Sequence, residues 1–395
     1  MEMRSGLNND TLRSRNRGLV LKLLATEGPL SRVELSRRTG LSKMSVSNII
    51  AEFDERGFIA VHDVVSSPGS GRNPVALKLS AKAPKLIGLF VFRDECAAVL
   101  CDMRLNVLRE RRAQIRDADA DRLPDILFSL VDAVYPSDEI PLGIGVGSIG
   151  PLDLRNGVIL DAPRFHGVRD FHLVELLKER YGLPVRLDGQ YDCAAMAEKY
   201  FGAAKEYRDF IFLGISTGIG SGLVWRGELL RSAAGFSSEL GHMSIDWRGN
   251  PCVCGNRGCL ETYAGLQVIV PRLRRVCGVP ESEFQSIDAD FQRFCRDAEH
   301  DGASPAHTVL NDMVRALASG LTNAVNLLDP QAIVIGHSGV WLPDRSLSDL
   351  EEKITRQRLA KRPVKIVRSA FGAEAQIRGS ACCLLDRVFR GDFFQ

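Results

Sequence analysis

The sequence has no run approaching the ~20 apolar residues that span a bilayer. Its opening stretch, MEMRSGLNNDTLRSRNRG, lacks the apolar centre of a secretory signal. Residence in the cytoplasm, with no membrane partner, is the expectation. A secreted-type disulfide framework is not expected either, because the ten cysteines would stand in a reducing compartment. Cys96, Cys101, Cys193, Cys277, Cys295, Cys382 and Cys383 are scattered or simply paired and read as small apolar filler. Charge of one sign is scarce: the formal balance is only +2.

Hydrophobic residues make up 45% and charged residues 25%, the profile of a globular protein. At 395 residues the chain exceeds one ordinary core, and two to four units of roughly 100–200 residues are expected. The charge is unevenly placed. Residues 1–80 carry twelve Lys/Arg against eight Asp/Glu, a net of +4, and the rest of the chain carries −2. A small basic N-terminal unit fits contact with a polyanion.

Within that unit, Leu12, Leu19, Val20, Leu23 and Leu24 predict one face of a helix over 11–26, ended by Gly28-Pro29. Ser31 is placed to cap a second helix that stops at Gly40. Ser42 is placed to cap a third, with Val46, Ile49, Ile50 and Phe53 inward. Lys43, Ser45, Ser47 and Asn48 stay polar on its leading turns, where a recognition helix meets base edges and phosphates in the major groove. Two β-prone segments, FIAVHDVV and PVALKLS, flank SSPGSGRN and predict a wing, with Arg72 near its tip for a phosphate or minor-groove contact. Residues 1–80 thus predict a winged helix-turn-helix that binds double-stranded DNA. A generic three-helix interaction domain is the bland alternative.

Beyond residue 80, strand and helix signals alternate, with glycine-rich turns at 143–151, 216–222 and 335–339. Gly145-x-Gly147-x-x-Gly150 imitates a dinucleotide fingerprint, but Pro151 and a polar turn follow it instead of a helix. The densest chemistry lies in GHMSIDWRGNPCVCGNRGCLETYAG (241–265). His242, Cys252, Cys254 and Cys259 are four ligands of the type that closes a tetrahedral structural zinc site. Free thiols and a redox switch are the competing readings.

This segment resembles the signature of the ROK family, which covers repressors, uncharacterised reading frames and sugar kinases. The family's Gly-Glu-x-Gly-His and Cys-x-Cys-Gly-x-x-Gly-Cys-x-Glu stretches are matched by Glu239-Leu240-Gly241-His242 and by Cys252 through Glu261. IGPLD (149–153), AEKYFG (197–202), LLDPQAIVIG (327–336) and GAEAQIRGSA (372–381) extend the likeness. The resemblance implies an α/β fold: a winged helix-turn-helix over 1–80, then a two-lobed actin/hexokinase-like (ribonuclease H-like) unit over 81–395. It also implies a homodimer or homotetramer, with a sugar-like effector bound between the lobes by Glu239, His242 and Glu261.

The kinase parts are altered. Aligned on Glu198, the family's catalytic Asp position holds Gln190, and an amide cannot take up the hydroxyl proton. Asp188 and Asp192 lie two residues away, about 6.6 Å along an extended chain. The first phosphate loop, Asp-x-Gly-Gly-Thr in the kinases, reads Phe90-Val91-Phe92-Arg93-Asp94, and a later glycine run is broken by His337 and Ser338. Gly189 and Gln190 replace sugar-holding groups, and Arg164 stands where an Asn often does. Arg164 suits either an acidic or phosphorylated ligand or a salt bridge. The expectation is a non-enzymatic regulator. Its rivals are an active ATP-dependent sugar kinase that also binds DNA and a ligand-blind scaffold.

Overall fold

The computed structural model describes residues 9–62, 75–115, 122–162, 165, 167–231 and 238–393. Its N-terminal unit is built by local signals. Helix α1 (Asn9–Glu27) ends before Gly28, whose φ of +90° favours glycine. Ser31 then opens α2 (Arg32–Thr39) with a capping box: Glu34 N donates to Ser31 Oγ at 3.2 Å, and Ser31 N donates to Glu34 Oε2 at 2.8 Å. Gly40, left-handed at φ +72°, turns the chain toward α3 (Lys43–Glu55), capped by Ser42 accepting from Ser45 N. Val46, Ile49, Ile50 and Phe53 are buried as expected.

Strands Ile59–His62 and Ala76–Leu79 pair antiparallel, and Leu30–Ser31 adds a short third strand that sequence pattern did not reveal. The intervening residues 63–74, Arg72 among them, lie outside the described residues. The expected face of α1 needs correction. Leu12 is 42% exposed, whereas Ser14, Gly18, Leu21 and Ala25 are buried beside Val20 and Leu24. The reason is tertiary: a Cβ on Gly18 would stand 2.4 Å from the carbonyl oxygen of Phe389. Small residues on α1 admit the end of the C-terminal helix, a partner that apolar periodicity within α1 cannot register.

The rest of the chain carries two five-stranded sheets with one shared connectivity. In the first, three antiparallel strands (Val107–Gln114, Glu95–Cys101, Leu86–Val91) continue into the parallel strands Ile144–Ser148 and Val185–Gly189. In the second, Glu228–Leu229, Ile219–Trp225 and Phe210–Ile215 continue into Ala332–His337 and Lys365–Arg368. Repeating this order in two halves is the two-lobed actin/hexokinase-like plan.

Two helices lie between the sheets. The C-terminal helix (Ala375–Phe389) packs on the first sheet, and the linking helix (Gln190–Phe201) packs on both it and the second. Glycines make this closeness possible. A Cβ on Gly145 would meet the Ser380 carbonyl oxygen at 2.1 Å, and one on Gly379 would meet the Cys193 backbone at 2.6 Å. The glycines around 145 therefore serve helix-on-sheet contact. The core of the first lobe runs without a break into α1–α3, through Leu21, Leu24, Leu35 and Phe53. Six of the seven cysteines read as filler are buried, and Cys277 is half-buried.

Candidate functional site

Between the lobes lies a cavity of about 240 Å³. Ser148, Gly189 and Gln190 bound it on one side, and Ser221, Glu239, His242 and Glu261 on the other. A short 3-10 turn, Leu240–His242, presents His242, and Gly241 permits that turn because a Cβ there would lie 2.0 Å from the Ile219 carbonyl oxygen. Glu261 opens the short helix Glu261–Ala264. Burial pushes the Glu239 carboxyl above its ordinary range, His242 pulls it down, and Glu261 adds to the rise. Gln190 is the first residue of the linking helix; its Oε1 is buried and has no hydrogen-bond partner among the described residues. The structure thus brings Glu239, His242, Glu261 and Gln190 to one cavity. Arg164 lies outside the described residues.

Two lining residues were not singled out as binding groups by sequence. Arg93, read only as part of a missing phosphate loop, lines the cavity, with its guanidinium 5.5 Å from the Phe92 ring centroid. Tyr191 lines it as well, and its ring fits between Gly214 and Gly220, where added Cβ atoms would come within 2.0 and 1.9 Å of the ring carbons. Its hydroxyl lies 3.1 Å from Ser216 Oγ. The retained STGIGSG turn therefore has a packing partner in this chain: Gly220 helps to seat the Tyr191 ring, and Gly222 lies against the Tyr191 backbone.

Where the resemblance sets the kinases' phosphate loop, this chain has bulky side chains. Phe90 is buried, and its ring stacks on Phe92 at 6.0 Å between centroids. Phe92 in turn meets His337 of the other lobe at 6.2 Å. His337 adopts φ +53°, accepts from Ser338 N at 2.9 Å, and is lowered in pKa by burial. Ser338 Oγ donates to Asp288, which fixes the turn. Neither neighbouring aspartate lines the cavity. Asp188 is buried and ion-paired with Arg231 (2.6 Å from Nη1 to Oδ1), and Asp192 is buried inside the linking helix.

Beside the cavity, His242, Cys252, Cys254 and Cys259 place their ligand atoms within 4.8 Å of one another. His242 Nδ1 to Cys252 Sγ is 3.5 Å, and Cys254 to Cys259 is 3.7 Å. Metal–ligand lengths of ~2.3 Å to sulfur and ~2.0 Å to nitrogen in a tetrahedron place neighbouring ligands roughly 3.5–3.8 Å apart, so the cluster fits one metal ion. Gly255 (φ +89°) makes the tight turn, and Gly258 passes so close to Asp246 that a Cβ would lie 1.8 Å from its carbonyl oxygen. Glu261 Oε1 lies 3.3 Å from Cys252 Sγ, which ties the cluster to the cavity wall.

On α3, Lys43, Ser47 and Asn48 are exposed, and Ser45 is half-buried with its hydroxyl 2.9 Å from that of Ser42. Met44, an apolar residue that the polar pattern of this turn did not bring forward, is 76% exposed beside them.

A winged helix-turn-helix packed on a two-lobed, sugar-kinase-like body defines a regulator-type architecture, and residues 13–60 match a winged helix-turn-helix DNA-binding model. The chain belongs to the ROK family, whose model matches residues 87–387. Among similar proteins, the xylose repressor of Bacillus spizizenii is 30% identical over 344 residues, 86% of each chain. A solved ROK family transcriptional regulator, described as a homologue of the Escherichia coli MLC protein, superposes with a TM-score of 0.80 at 26% identity, covering 97% of this chain and 98% of that one. The ROK hexokinase of Thermus thermophilus gives 0.63 at 29% identity and covers 76% of this chain and 97% of its own.

Proposed function

We propose that this chain is a DNA-binding transcriptional repressor of carbohydrate-metabolism genes, governed by a sugar or sugar-derived effector held between the lobes. The observation that carries the reading is a cleft whose two sides differ. Glu239, His242 and Glu261 line it with groups that can bind hydroxyls, while Phe92 and His337 stand ring to ring, 6.2 Å between centroids, where the resemblance sets the kinases' glycines. Gln190 Oε1, a buried acceptor with no partner among the described residues, suits a ligand that donates a hydroxyl hydrogen. Binding and chemistry are thereby separated, and kinase activity is lost. The repressor names carried by similar proteins agree with this reading.

In the same reading, residues 1–80 form the DNA-binding unit and 81–395 the effector-binding and oligomerising unit of a cytoplasmic homodimer or homotetramer. Lys43, Ser45, Ser47 and Asn48 face the major groove, with Arg72 on the wing. His242, Cys252, Cys254 and Cys259 hold one structural zinc, which when bound cross-links the 242–259 loop and holds His242 at the cavity wall. An effector changes operator affinity only by binding the DNA-competent and DNA-incompetent states unequally.

The test is a thermal-shift screen of sugars, sugar acids and sugar phosphates on the full chain. Stabilisation by at least one compound is expected, and Glu261→Gln should weaken it while zinc content stays constant. Stabilisation by none would favour a ligand-blind scaffold, and ATP-dependent phosphorylation would overturn the reading.

A further inference from the structure

The linking helix has one end in the cleft and the other at the DNA-binding unit. Its twelve residues span about 18 Å. At the cleft end, Tyr191 is wedged into the second lobe between Gly214 and Gly220, and Gly222 lets the helix backbone approach that sheet. About one turn along, Gly379 brings the C-terminal helix against Cys193 and Ala194, backbone to backbone. At the far end, Tyr200 donates a buried 2.5 Å hydrogen bond to Asp386 and meets Phe389 edge-on at 5.2 Å.

From there the path enters the DNA-binding unit twice. Lys22 of α1 stands 5.0 Å above the Tyr200 ring. Beside it, Gly18 of α1 and Gly391 after the C-terminal helix let the two backbones touch: a Cβ on Gly18 would lie 2.4 Å from the Phe389 carbonyl oxygen, and one on Gly391 2.4 Å from that of Ser14. Inside the unit, Arg17 of α1 pairs with Glu52 of α3 at 2.7 Å. Apart from the Lys22–Tyr200 cation–π contact, each step is close-packed or hydrogen-bonded, and such contacts shift between discrete arrangements instead of deforming smoothly.

We propose that the linking and C-terminal helices act as one transmission element: Tyr191 is the positioning residue that registers how the second lobe sits over the cleft, and the Gly18–Gly391 contact delivers that position to the recognition helix. The inference rests on the repressor reading and adds its route of regulation. It requires that a change at Tyr191 alter DNA affinity only while the glycine contact is intact. Because coupling between sites is reciprocal, it is measurable without knowing the effector.

The experiment uses the full chain and a duplex selected from a random pool by the parent protein. Dissociation constants at one fixed salt concentration are compared for the parent, Tyr191→Ala, Gly18→Ala and the double variant. Tyr191→Ala is expected to shift affinity fivefold or more in the parent background and less than twofold in the Gly18→Ala background. Tyr191→Phe, which keeps the ring between Gly214 and Gly220, should shift affinity less than Tyr191→Ala does, and all variants should keep their circular dichroism. If Gly18→Ala fails to fold, Lys22→Met takes its place. An unchanged affinity for Tyr191→Ala, or the same shift in both backgrounds, overturns the proposal while the repressor reading stands. Failure of the parent to select any duplex removes the repressor reading, and the proposal with it.

Discussion

Phe92 of the first lobe and His337 of the second approach ring to ring, 6.2 Å between centroids, at positions that the family's kinases keep open with glycine. Restoring a base should therefore not restore catalysis. A lost general base costs only about 10²–10⁴ in rate, so Gln190→Asp tests whether that is the sole lesion. No phosphorylation of any screened sugar is expected from Gln190→Asp, nor any ATP binding by calorimetry. Turnover by that single variant would show that the two rings do not bar the nucleotide.

The metal cluster gives a second expectation. Protein purified without chelator should carry close to one zinc per chain. Cys252→Ser should lower that content and drop the melting temperature by more than about 5 °C, because a structural metal adds its binding energy to folding. A metal-free chain with unchanged melting would refute the assignment.

For DNA, Lys43→Ala should weaken binding roughly 5–50-fold and, if the lysine meets a phosphate, reduce the salt slope by about 1. Arg72→Ala should act similarly. Gel shifts on the gene's own upstream region provide the measurement, and parental binding by both variants at moderate salt would remove these contacts from the interface.

Lys199 supplies a pH dependence. Burial lowers its pKa to about 8, with the nearby Lys22 adding to the fall. Between about 8 and the ordinary value of 10.5, the unfolded chain holds a proton that the folded chain has released. This group therefore makes stability rise with pH in that window. Lys199→Met should flatten the rise and increase the melting temperature at pH 7. An unaltered melting profile against pH would count against a buried, charge-averse Lys199.

The parts of this molecule that are local in sequence were legible in it. Ser31, Gly40 and Ser42 mark their helix ends by chemistry acting within four residues, and the Cys252–Cys259 loop closes on itself, so spacing alone suffices. Tyr191 was opaque because the glycines that seat it, Gly214 and Gly220, lie more than twenty residues away, and the run holding Gly220 reads equally well as a phosphate loop. The inner face of α1 was misread for a related reason. Leucine periodicity points to Leu12, but the buried positions include Ser14 and Gly18, chosen by a helix that begins at residue 375.

The contact of α1 with the chain's last helix also bears on how such regulators can be recombined. A DNA-reading head is commonly pictured as a cassette, exchangeable at the linker beyond the wing. Here the first helix of that head is fitted to the body along Ser14 and Gly18, so a graft at residue 80 would bring a foreign helix into a seat shaped for this one. A chimera with altered operator choice would better keep residues 9–27 of this chain and exchange only residues 28–80, so that the reader changes while its mounting does not.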